Sequence, residues 1–331
     1  MNESMLLQEG CRSSRFARPQ ILHRTRKGFT LTELLVGISV VAILLAIMFP
    51  AAQSIRQAAR RTRCLSNIKQ VMLAALTYES NEFVLPAADD GHGKSFLVSL
   101  LPYLEETQLD KRSRDDFVNG EAFTDRWNEL SNEQVAVLNC PASSPEDLHS
   151  TLSGQGEFTS HYYGLAGPVG SAHNPGKIES QFKYKHLNSA VNGPIGLQGL
   201  FSPRKNGVFV PKRLKDVTDG TSNTFGIGEL SRFDIVDENS APLRSGWAFG
   251  ADYDSEMKAS RLYTIKSLTR PINTAGNSLN DLPFSSNHPG GTQFAFIDGS
   301  ARFVDEKISI DVLKTFASIN EREKVQSLDG N

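Results

Sequence analysis

The feature that most constrains this chain is a long uncharged run near its N-terminus, residues 34–55. These 22 positions contain no Lys, Arg, Asp or Glu. As an α-helix they would extend roughly 33 Å at about 1.5 Å per residue, enough to cross a hydrocarbon core of about 30 Å. A helix in the core of a soluble protein seldom stays uncharged for so long. The run therefore predicts one membrane-spanning helix.

The charge balance on either side of this run bears on partners and on orientation. The leader, residues 1–28, has six Lys or Arg against two Glu, a formal charge of +4, and the whole chain carries −2. Removing +4 from −2 leaves −6 for the remainder, which argues against a general nucleic-acid binder. Five basic residues also follow the run, so the charge contrast across the membrane is small. They are Arg56, Arg60, Arg61, Arg63 and Lys69.

One carboxylate, Glu33, immediately precedes the uncharged run. An ionised carboxylate costs about 2.5–3.5 kcal/mol at the centre of a membrane helix, so such a residue usually has a partner. If the chain is cut after Gly28, the new α-amino group of Phe29 lies one helical turn before Glu33. That amine could offset the carboxylate, within one chain or between neighbours. The alternative is a plain signal anchor with Glu33 among the lipid headgroups.

Residues 27–50 resemble a type IV prepilin signal, residue by residue. Gly28 precedes the cut, Phe29 becomes the first mature residue, Glu33 the fifth and Pro50 the twenty-second. The resemblance implies cleavage by a prepilin peptidase and N-methylation of Phe29. It also implies a leader in the cytoplasm, a single span in the inner membrane and an exported C-terminal part.

The helix is expected to continue outside the membrane, so that residues 29–80 form one long helix with a kink at Pro50. Apolar residues recur at spacings of three and four beyond the span, with the basic residues on the other side. We expect this stripe to pack on the exported domain. Its members are Ile55, Ala58, Ala59, Thr62, Leu65, Ile68, Met72, Ala75 and Leu76.

A second set of motifs begins with C-x2-N-x2-Q at residues 64–70 and ends with H-x9-DG at residues 288–299. Between them lie SLLPYLEE (99–106), CPASSP (140–145) and DVTDGTSNTFGIGE (216–229). In this order they resemble the bacterial family called domain of unknown function 1559, whose prepilin-type members carry the H-x9-DG signature. The resemblance covers nearly all of the chain after Phe29. Its motif residues are Cys64, Asn67, Gln70, Asp219, Gly220, Asn223, Glu229, His288, Asp298 and Gly299.

The remaining patterns predict an α+β fold, in which the long N-terminal helix packs on an antiparallel sheet domain with irregular loops. This exported domain covers residues 81–318 and is followed by a polar tail, residues 319–331. Residues 141–215, rich in Gly, Pro, Ser and Asn, are expected to be loops with short strands such as residues 161–164. Helices are expected at residues 96–109 with a reset at Pro102, within 111–134 and at 309–319, and strands at 135–140, 224–230 and 245–251.

Residues 292–304 favour a β-hairpin with a two-residue turn at Asp298-Gly299. In that register Phe296 pairs with Ala301 and Phe294 with Phe303, and all four share one apolar face. The turn then accounts for Asp298 and Gly299 without a catalytic role. We interpret His288 as a structural hydrogen-bonding residue, although it could instead bond the Asp298 region or bind a metal.

Two further sites leave alternatives open. Cys64 and Cys140 remain after the leader, with Cys11, is removed, and an oxidising compartment would permit a disulfide between them; two separate buried thiols are the alternative. Asp216, Asp219, Thr221 and Asn223 offer oxygen ligands that suit calcium, but their spacing does not match an EF-hand. A turn at Asp219-Gly220 is the simpler interpretation. We therefore expect no cofactor and no metal.

These observations predict a membrane-anchored, pilin-like protein with a structural or assembly role in a filament, secretion or surface structure. Its expected partners are the membrane, the prepilin peptidase and other pilin-like or secretion-system subunits. The sequence has no HExxH or G-x-S-x-G motif, which argues against an enzyme. The alternatives are an exported binding module, one that binds metal included, that uses the prepilin route only as an anchor, and an envelope enzyme with His288 near a carboxylate.

Overall fold

A computed structural model describes most of the chain after the leader. The leader, residues 1–27, and the polar tail from residue 321 onward lie outside the described residues, as does part of the helical region expected at residues 111–134. The described residues are 28–115, 123–150, 156–173, 181–189, 191–203, 209–233, 245–252, 260–276 and 278–320.

The uncharged run and the residues after it form one helix, α1 (Leu31–Glu82), which continues through Pro50. Thr30 and Glu33 make a reciprocal cap at its start. The Glu33 N–H donates to Thr30 Oγ1 at 3.2 Å, and the Glu33 carboxylate accepts from the Thr30 N–H and Oγ1 at 2.9 Å. The first turn of a helix has backbone N–H groups without a partner inside the helix, and here the two side chains accept hydrogen bonds from them, as in a capping box.

The chain divides into two compact units, residues 1–53 and residues 54–331. In the first unit the side chains of α1 are exposed along its whole length. Within the described part of the chain, α1 is the helix that is long and apolar enough to cross a membrane. Its apolar surface is therefore of the kind that lipid or other apolar helices cover.

In the second unit α1 packs on the domain, but along a shorter face than the sequence predicts. The buried residues begin at Cys64 and include Ile68, Met72 and Ala75 of the expected stripe. The expected contact of Ile55 is wrong, because this side chain is 68% exposed. Residues 58, 59 and 62 are exposed as well. The spacing of apolar residues identifies a helical face, but only the extent of the domain decides how much of that face is buried.

Four shorter helices and eleven strands complete the described fold. The helices are α2 (Phe96–Leu100), α3 (Thr107–Asp115), α4 (Phe123–Ser131) and α5 (Ile310–Phe316). The strands are β1 (Tyr162–Pro168), β2 (Ser171–His173), β3 (Gln181–Lys183), β4 (His186–Ser189), β5 (Gly193–Gly196), β6 (Phe225–Glu229), β7 (Ala251–Asp252), β8 (Arg261–Leu262), β9 (Ile265–Leu268), β10 (Gly291–Phe296) and β11 (Ala301–Asp305).

The main sheet has five strands in the order β11-β10-β6-β1-β9. Neighbouring strands are antiparallel except β1 and β9, which are parallel. The described residues form two hydrophobic clusters. One contains the buried face of α1 with Ile227 and Ala295, and the other contains Phe225, Phe294 and Phe316 of α5. The α+β prediction, a long N-terminal helix with a largely antiparallel sheet, is confirmed.

Several local predictions are confirmed, and two are wrong. The helix expected at residues 96–109 is interrupted at Pro102, within a 3-10 turn at Leu101–Leu104, and α5 and β6 lie where they are expected. The strand expected at residues 135–140 is instead a 3-10 turn, Ala136–Leu138, because its amides bond to carbonyls three residues back. The strand expected at residues 245–251 is wrong for most of its length, since the Phe249 N–H donates to the Gly246 carbonyl in a turn and strand β7 begins only at Ala251.

The loop-rich region, residues 141–215, contributes more regular structure than the sequence predicts. β1, which was expected only at residues 161–164, is buried throughout and pairs with β6 and β9. Its Gly167 has φ of +117° and packs backbone to backbone against Gly199, where a Cβ atom would lie 2.3 Å from the Gly167 nitrogen. The glycines therefore serve a close approach of two chain segments.

The hairpin of β10 and β11 exists, but the predicted register is wrong by one residue. Ala295 pairs with Ala301, and Phe294 pairs with Arg302. The loop has three residues instead of two, because the Gly299 N–H donates to the Phe296 carbonyl and the Phe296 N–H to the Ser300 carbonyl. Gly299 has φ of +84°, as expected for the glycine that ends a three-residue loop. Relative to the prediction, each side chain of β11 therefore shares a face of the hairpin with the other set of β10 side chains.

Candidate functional site

Four chemically active side chains meet inside the domain, and we call them the buried cluster. Cys64 comes from α1, Cys140 follows the 3-10 turn at Ala136–Leu138, Glu229 ends β6 and His288 precedes β10. All four are buried, and their possible ligand atoms lie within 4.8 Å of one another. Cys64 and Cys140 are joined by a disulfide with a Cα–Cα distance of 4.9 Å. The structure thus brings together residues from four separate parts of the chain.

Hydrogen bonds from neighbouring residues hold the two cysteines in place. The Cys140 N–H donates to His161 Nδ1 at 2.9 Å. Because this nitrogen accepts, the ring proton of His161 lies on Nε2, which donates to the Asp147 carbonyl at 3.0 Å. The Tyr162 hydroxyl donates to the Cys64 carbonyl at 3.2 Å. The backbone of both cysteines is therefore bonded to the start of β1, that of Cys64 to Tyr162 and that of Cys140 to the residue before the strand, His161.

His288 faces the disulfide and Glu229. Its Nε2 lies 3.4 Å from Cys140 Sγ and 3.8 Å from Glu229 Oε1. Its backbone N–H donates to Ser286 Oγ at 3.1 Å, which places the side chain just before β10. The structure therefore puts His288 in the buried cluster and not beside Asp298, so the expected alternative of a bond to the Asp298 region is wrong.

Glu229 is buried with only part of its hydrogen-bonding capacity used. Its Oε1 accepts from Ser231 Oγ at 2.7 Å, while Oε2 has no partner among the described residues. Burial raises the pKa of Glu229 to about 8, although hydrogen bonds from Ser231 and from the Gln293 backbone N–H act to lower it. Burial, and then the positive charge of Arg61, lower the pKa of His288 to about 4. Both groups are therefore neutral near pH 7, and their 3.8 Å contact is not an ion pair.

The remaining central motif residues form a second group, which we call the turn cluster: Asp219, Gly220, Asn223, Asp298 and Gly299. The Asp298 N–H donates to the Thr221 carbonyl at 3.1 Å, and the Asp298 carboxylate accepts from the Ser300 N–H at 2.8 Å. Although burial opposes it, hydrogen bonds from Ser300 and Ser222 lower the pKa of Asp298. This cluster joins the loop before β6 to the turn between β10 and β11.

Within the turn cluster, backbone geometry explains the motif glycines. Gly220 has φ of +92°, a conformation that non-glycine residues rarely adopt, and its carbonyl accepts from the Asn223 N–H at 3.1 Å. The proposed calcium ligand Asp216 instead accepts from the Arg213 N–H at 2.9 Å. The expectation that residues 216–223 hold no calcium stays a prediction.

The other motif residues lie at the edges of these two groups or outside them. Asn67 donates from Nδ2 to the Asn139 carbonyl at 3.0 Å, next to Cys140, and Gln70 is exposed on α1. The processing residues Gly28, Phe29 and Glu33 are also exposed. Asn67 and Cys140 line a surface cavity of about 390 Å³ that reaches one side of the buried cluster.

The sequence identified the residues of the buried cluster and allowed the Cys64–Cys140 disulfide, which the structure contains, but it did not indicate that Glu229 and His288 meet the cysteines. Glu229 lies at the end of an otherwise apolar strand, TFGIGEL, and this single charged residue in a buried strand was the available signal. No signal indicated Ser231 or His161, because their roles depend on contacts across the fold.

Two family models match this chain. The model described as a protein of unknown function (DUF1559) matches residues 53–311, and the model of the prokaryotic N-terminal methylation motif matches residues 23–49. Both resemblances inferred from the sequence are confirmed. No curated protein and no solved structure matches the chain.

Proposed function

Because the chain belongs to the DUF1559 family and carries a prokaryotic N-terminal methylation motif, we propose that it is a structural or assembly subunit of the cell envelope. The motif and the apolar helix α1 make it a prepilin-processed, type IV pilin-like protein with a single-pass membrane anchor. We propose in addition that it acts as a subunit that associates with other pilin-like chains through the membrane half of α1.

The proposed location is the inner membrane, with the leader in the cytoplasm and the domain exported. The basic leader supports this orientation, since positive charges near a span favour the cytoplasmic side. The Cys64–Cys140 disulfide also supports export, because disulfides persist mainly in oxidising compartments. Prepilin peptidase is the proposed processing partner, with cleavage between Gly28 and Phe29.

The observation that carries the proposal is the exposed apolar surface of α1 with a single carboxylate at its start. The large apolar side chains from Leu31 to Phe49 are 50% to 79% exposed, and Glu33 precedes the uncharged run. In the uncut chain Glu33 bonds to Thr30. Cleavage after Gly28 would create an amine one turn away, on this chain or on a neighbour, that can pair with the same carboxylate.

We expect Glu33→Gln to abolish association with pilin-like partners while leaving membrane insertion intact. The measurement is cross-linking of the full-length chain in native membranes, together with the mass of its N-terminal peptide. Glu82→Gln, an exposed carboxylate at the other end of the same helix, is the matched control and should associate as wild type does. Gly28→Val supplies the uncleaved reference, because a branched side chain at the cut should block the peptidase.

Two outcomes would refute this role. Cross-linked assemblies of the Glu33→Gln chain at wild-type levels would show that the carboxylate has no part in association. A wild-type chain that keeps Met1 in cells with active prepilin peptidase would remove the processing step on which the role depends.

We propose no catalytic activity for this form of the protein. The enzyme alternative needs His288 beside a carboxylate, and His288 does lie 3.8 Å from Glu229. However, His288 is 4% exposed and Glu229 is fully buried, so a substrate has no access to the pair. A role as an exported binding module is the second candidate, and the unpaired Glu229 oxygen favours it.

A further inference from the structure

We infer that the buried cluster is a metal site of the zinc type in the reduced chain. With the disulfide opened, Cys64, Cys140, His288 and Glu229 would together bind one Zn²⁺. This inference goes beyond the proposed assembly role and does not depend on it, because it concerns only the interior of the domain.

The donor set and its spacing suit zinc. Zinc prefers four ligands in a tetrahedron drawn from Cys sulfur, His nitrogen and carboxylate oxygen. From typical bond lengths, sulfur and nitrogen ligands should lie about 3.6 Å apart, and nitrogen and oxygen ligands about 3.3 Å apart. The Cys140 Sγ to His288 Nε2 distance is 3.4 Å, and the His288 Nε2 to Glu229 Oε1 distance is 3.8 Å. These three ligands therefore need little movement.

The unpaired oxygen of Glu229 is an independent observation that points to a ligand. Its Oε2 is buried with no hydrogen-bond partner among the described residues, although Oε1 is bonded to Ser231. Leaving a buried carboxyl oxygen unpaired is costly, so such atoms are uncommon in folded proteins. A cation between Glu229 and the two sulfurs would supply the missing partner.

The residues around the cluster already hold its members as the partners of metal ligands do. Ser231 fixes Glu229, Ser286 fixes the backbone of His288, and His161 fixes the backbone of Cys140. Such supporting hydrogen bonds orient the ligands of protein metal sites. The reduced cluster would therefore offer a largely preformed site.

Formation of the site is a redox step followed by an exchange of protons for metal. A dithiol or a phosphine supplies two electrons that break the Sγ–Sγ bond, and two protons complete the thiols. Zn²⁺ then displaces both thiol protons and the carboxyl proton of Glu229, three protons in all, and neutral His288 binds through Nε2 with its proton on Nδ1. Each sulfur binds either the other sulfur or zinc as a thiolate, so the disulfide and the zinc form exclude one another.

The test uses the full-length chain in detergent, with and without reduction by a phosphine under nitrogen. After addition of Zn²⁺ and desalting, elemental analysis should give one zinc per reduced chain and none per oxidised chain. Co²⁺ added in place of zinc should give thiolate-to-metal charge-transfer bands and the strong visible bands of a tetrahedral site. The Kd for Zn²⁺ should tighten as pH rises, because binding releases thiol protons.

Variants test the four ligands separately. His288→Ala and Glu229→Gln should each weaken zinc binding at least about tenfold, since even loss of a partner of a ligand costs about 10–100-fold. Replacement of both Cys64 and Cys140 by Ser should abolish binding. Glu157→Gln is the matched control, because Glu157 is a second buried carboxyl group with an unpaired oxygen, and it lies outside the cluster.

Circular dichroism establishes that each variant is folded, and the cobalt spectrum then separates loss of one ligand from loss of the fold. A folded His288→Ala chain should keep the thiolate bands but lose the tetrahedral pattern. The inference is overturned if the reduced wild-type chain binds no more zinc than the double Ser variant. It is also overturned if the His288 and Glu229 variants both bind zinc as tightly as wild type.

Discussion

The buried cluster and the turn cluster both consist largely of family-motif residues, yet their polar groups are satisfied to different degrees. In the turn cluster the Asp298 carboxylate accepts from Ser300, and the Asp298 N–H reaches the Thr221 carbonyl. In the buried cluster Glu229 keeps one oxygen without a partner. A bonded carboxylate such as Asp298 needs only the fold to explain it, whereas a buried carboxyl oxygen without a partner is open to a ligand or to a change of state. Motif residues alone would not have separated the two.

The largest expected effect concerns the covalent bond of the buried cluster. Replacing both Cys64 and Cys140 by Ser should lower the free energy of unfolding by about 4 kcal/mol, because the bridge closes a loop with a sequence separation of 76. The measurement is denaturant unfolding of the full-length oxidised chain in detergent. Wild-type protein kept reduced and metal-free is the control and should unfold with the variant. An unchanged denaturant midpoint would mean that the bridge adds no measurable stability, so that the buried cluster would not constrain the fold more than the turn cluster does.

The next effect tests the turn cluster as a folding element. Gly299 and Gly290 have nearly equal φ angles, +84° and +85°, but only Gly299 is crowded. A Cβ atom there would lie 2.8 Å from Leu73 and 3.2 Å from Leu76, whereas nothing lies within 4 Å at Gly290. Gly290→Ala should cost about 1 kcal/mol for the left-handed backbone, and Gly299→Ala about 2–3 kcal/mol.

The comparison of these two glycine variants isolates packing from backbone strain. The measurement is the same unfolding experiment, and the difference between the variants is the quantity of interest. Equal costs would show that the turn does not depend on its contact with α1.

The smallest effect is a pH dependence that belongs to the buried cluster. Because the folded pKa of Glu229, about 8, lies above its ordinary value of 4.5, the folded state holds a proton that the unfolded state has lost. Its contribution to stability is therefore complete below pH 4.5 and falls as pH rises to about 8. Between pH 6.5 and 8 the loss should be about 2 kcal/mol. Glu229→Gln should remove this slope.

Two other groups also change stability with pH, so the effect of Glu229 is measured as the difference in stability between wild type and Glu229→Gln. The lowered pKa of His288, about 4, makes stability rise with pH only between about 4 and 6.5. This contribution is therefore constant between pH 6.5 and 8, the range used to test Glu229. Burial also lowers the pKa of Lys212 to about 7, which makes stability rise above that pH. Thermal melts of the oxidised chains across this window should therefore be compared pairwise. Parallel pH profiles would contradict a Glu229 side chain that is protonated in the folded state.

The parts of the fold that the sequence predicts well are those set by neighbouring residues. The uncharged run and the apolar spacing after it predict α1, and Asp298-Gly299 predicts the hairpin, because each is a local pattern. The register failed because a two-residue and a three-residue loop share the same Asp-Gly signal, and only the contact of Gly299 with α1 distinguishes them.

The buried cluster could be predicted only in part, for the opposite reason. Cys140 and His288 are 148 positions apart, and Glu229 lies between them on a strand whose place in the sheet the sequence does not indicate. Pairing of β6 with β1 sets Glu229 opposite Tyr162. The Tyr162 hydroxyl in turn donates to the Cys64 carbonyl, which brings Glu229 beside this cysteine. Such a meeting depends on tertiary contacts, and single-sequence patterns do not contain it.

The covalent link between α1 and residue 140 also has a mechanical consequence. A tensile load that enters along the N-terminal part of α1 reaches Cys64 and can cross directly to Cys140. The residues between the two cysteines then bear none of it, so the two ends remain joined even after a protease cuts the chain between them. When the chain is pulled through α1, the oxidised form should extend by less contour length than the reduced form, and single-molecule extension measures the difference directly.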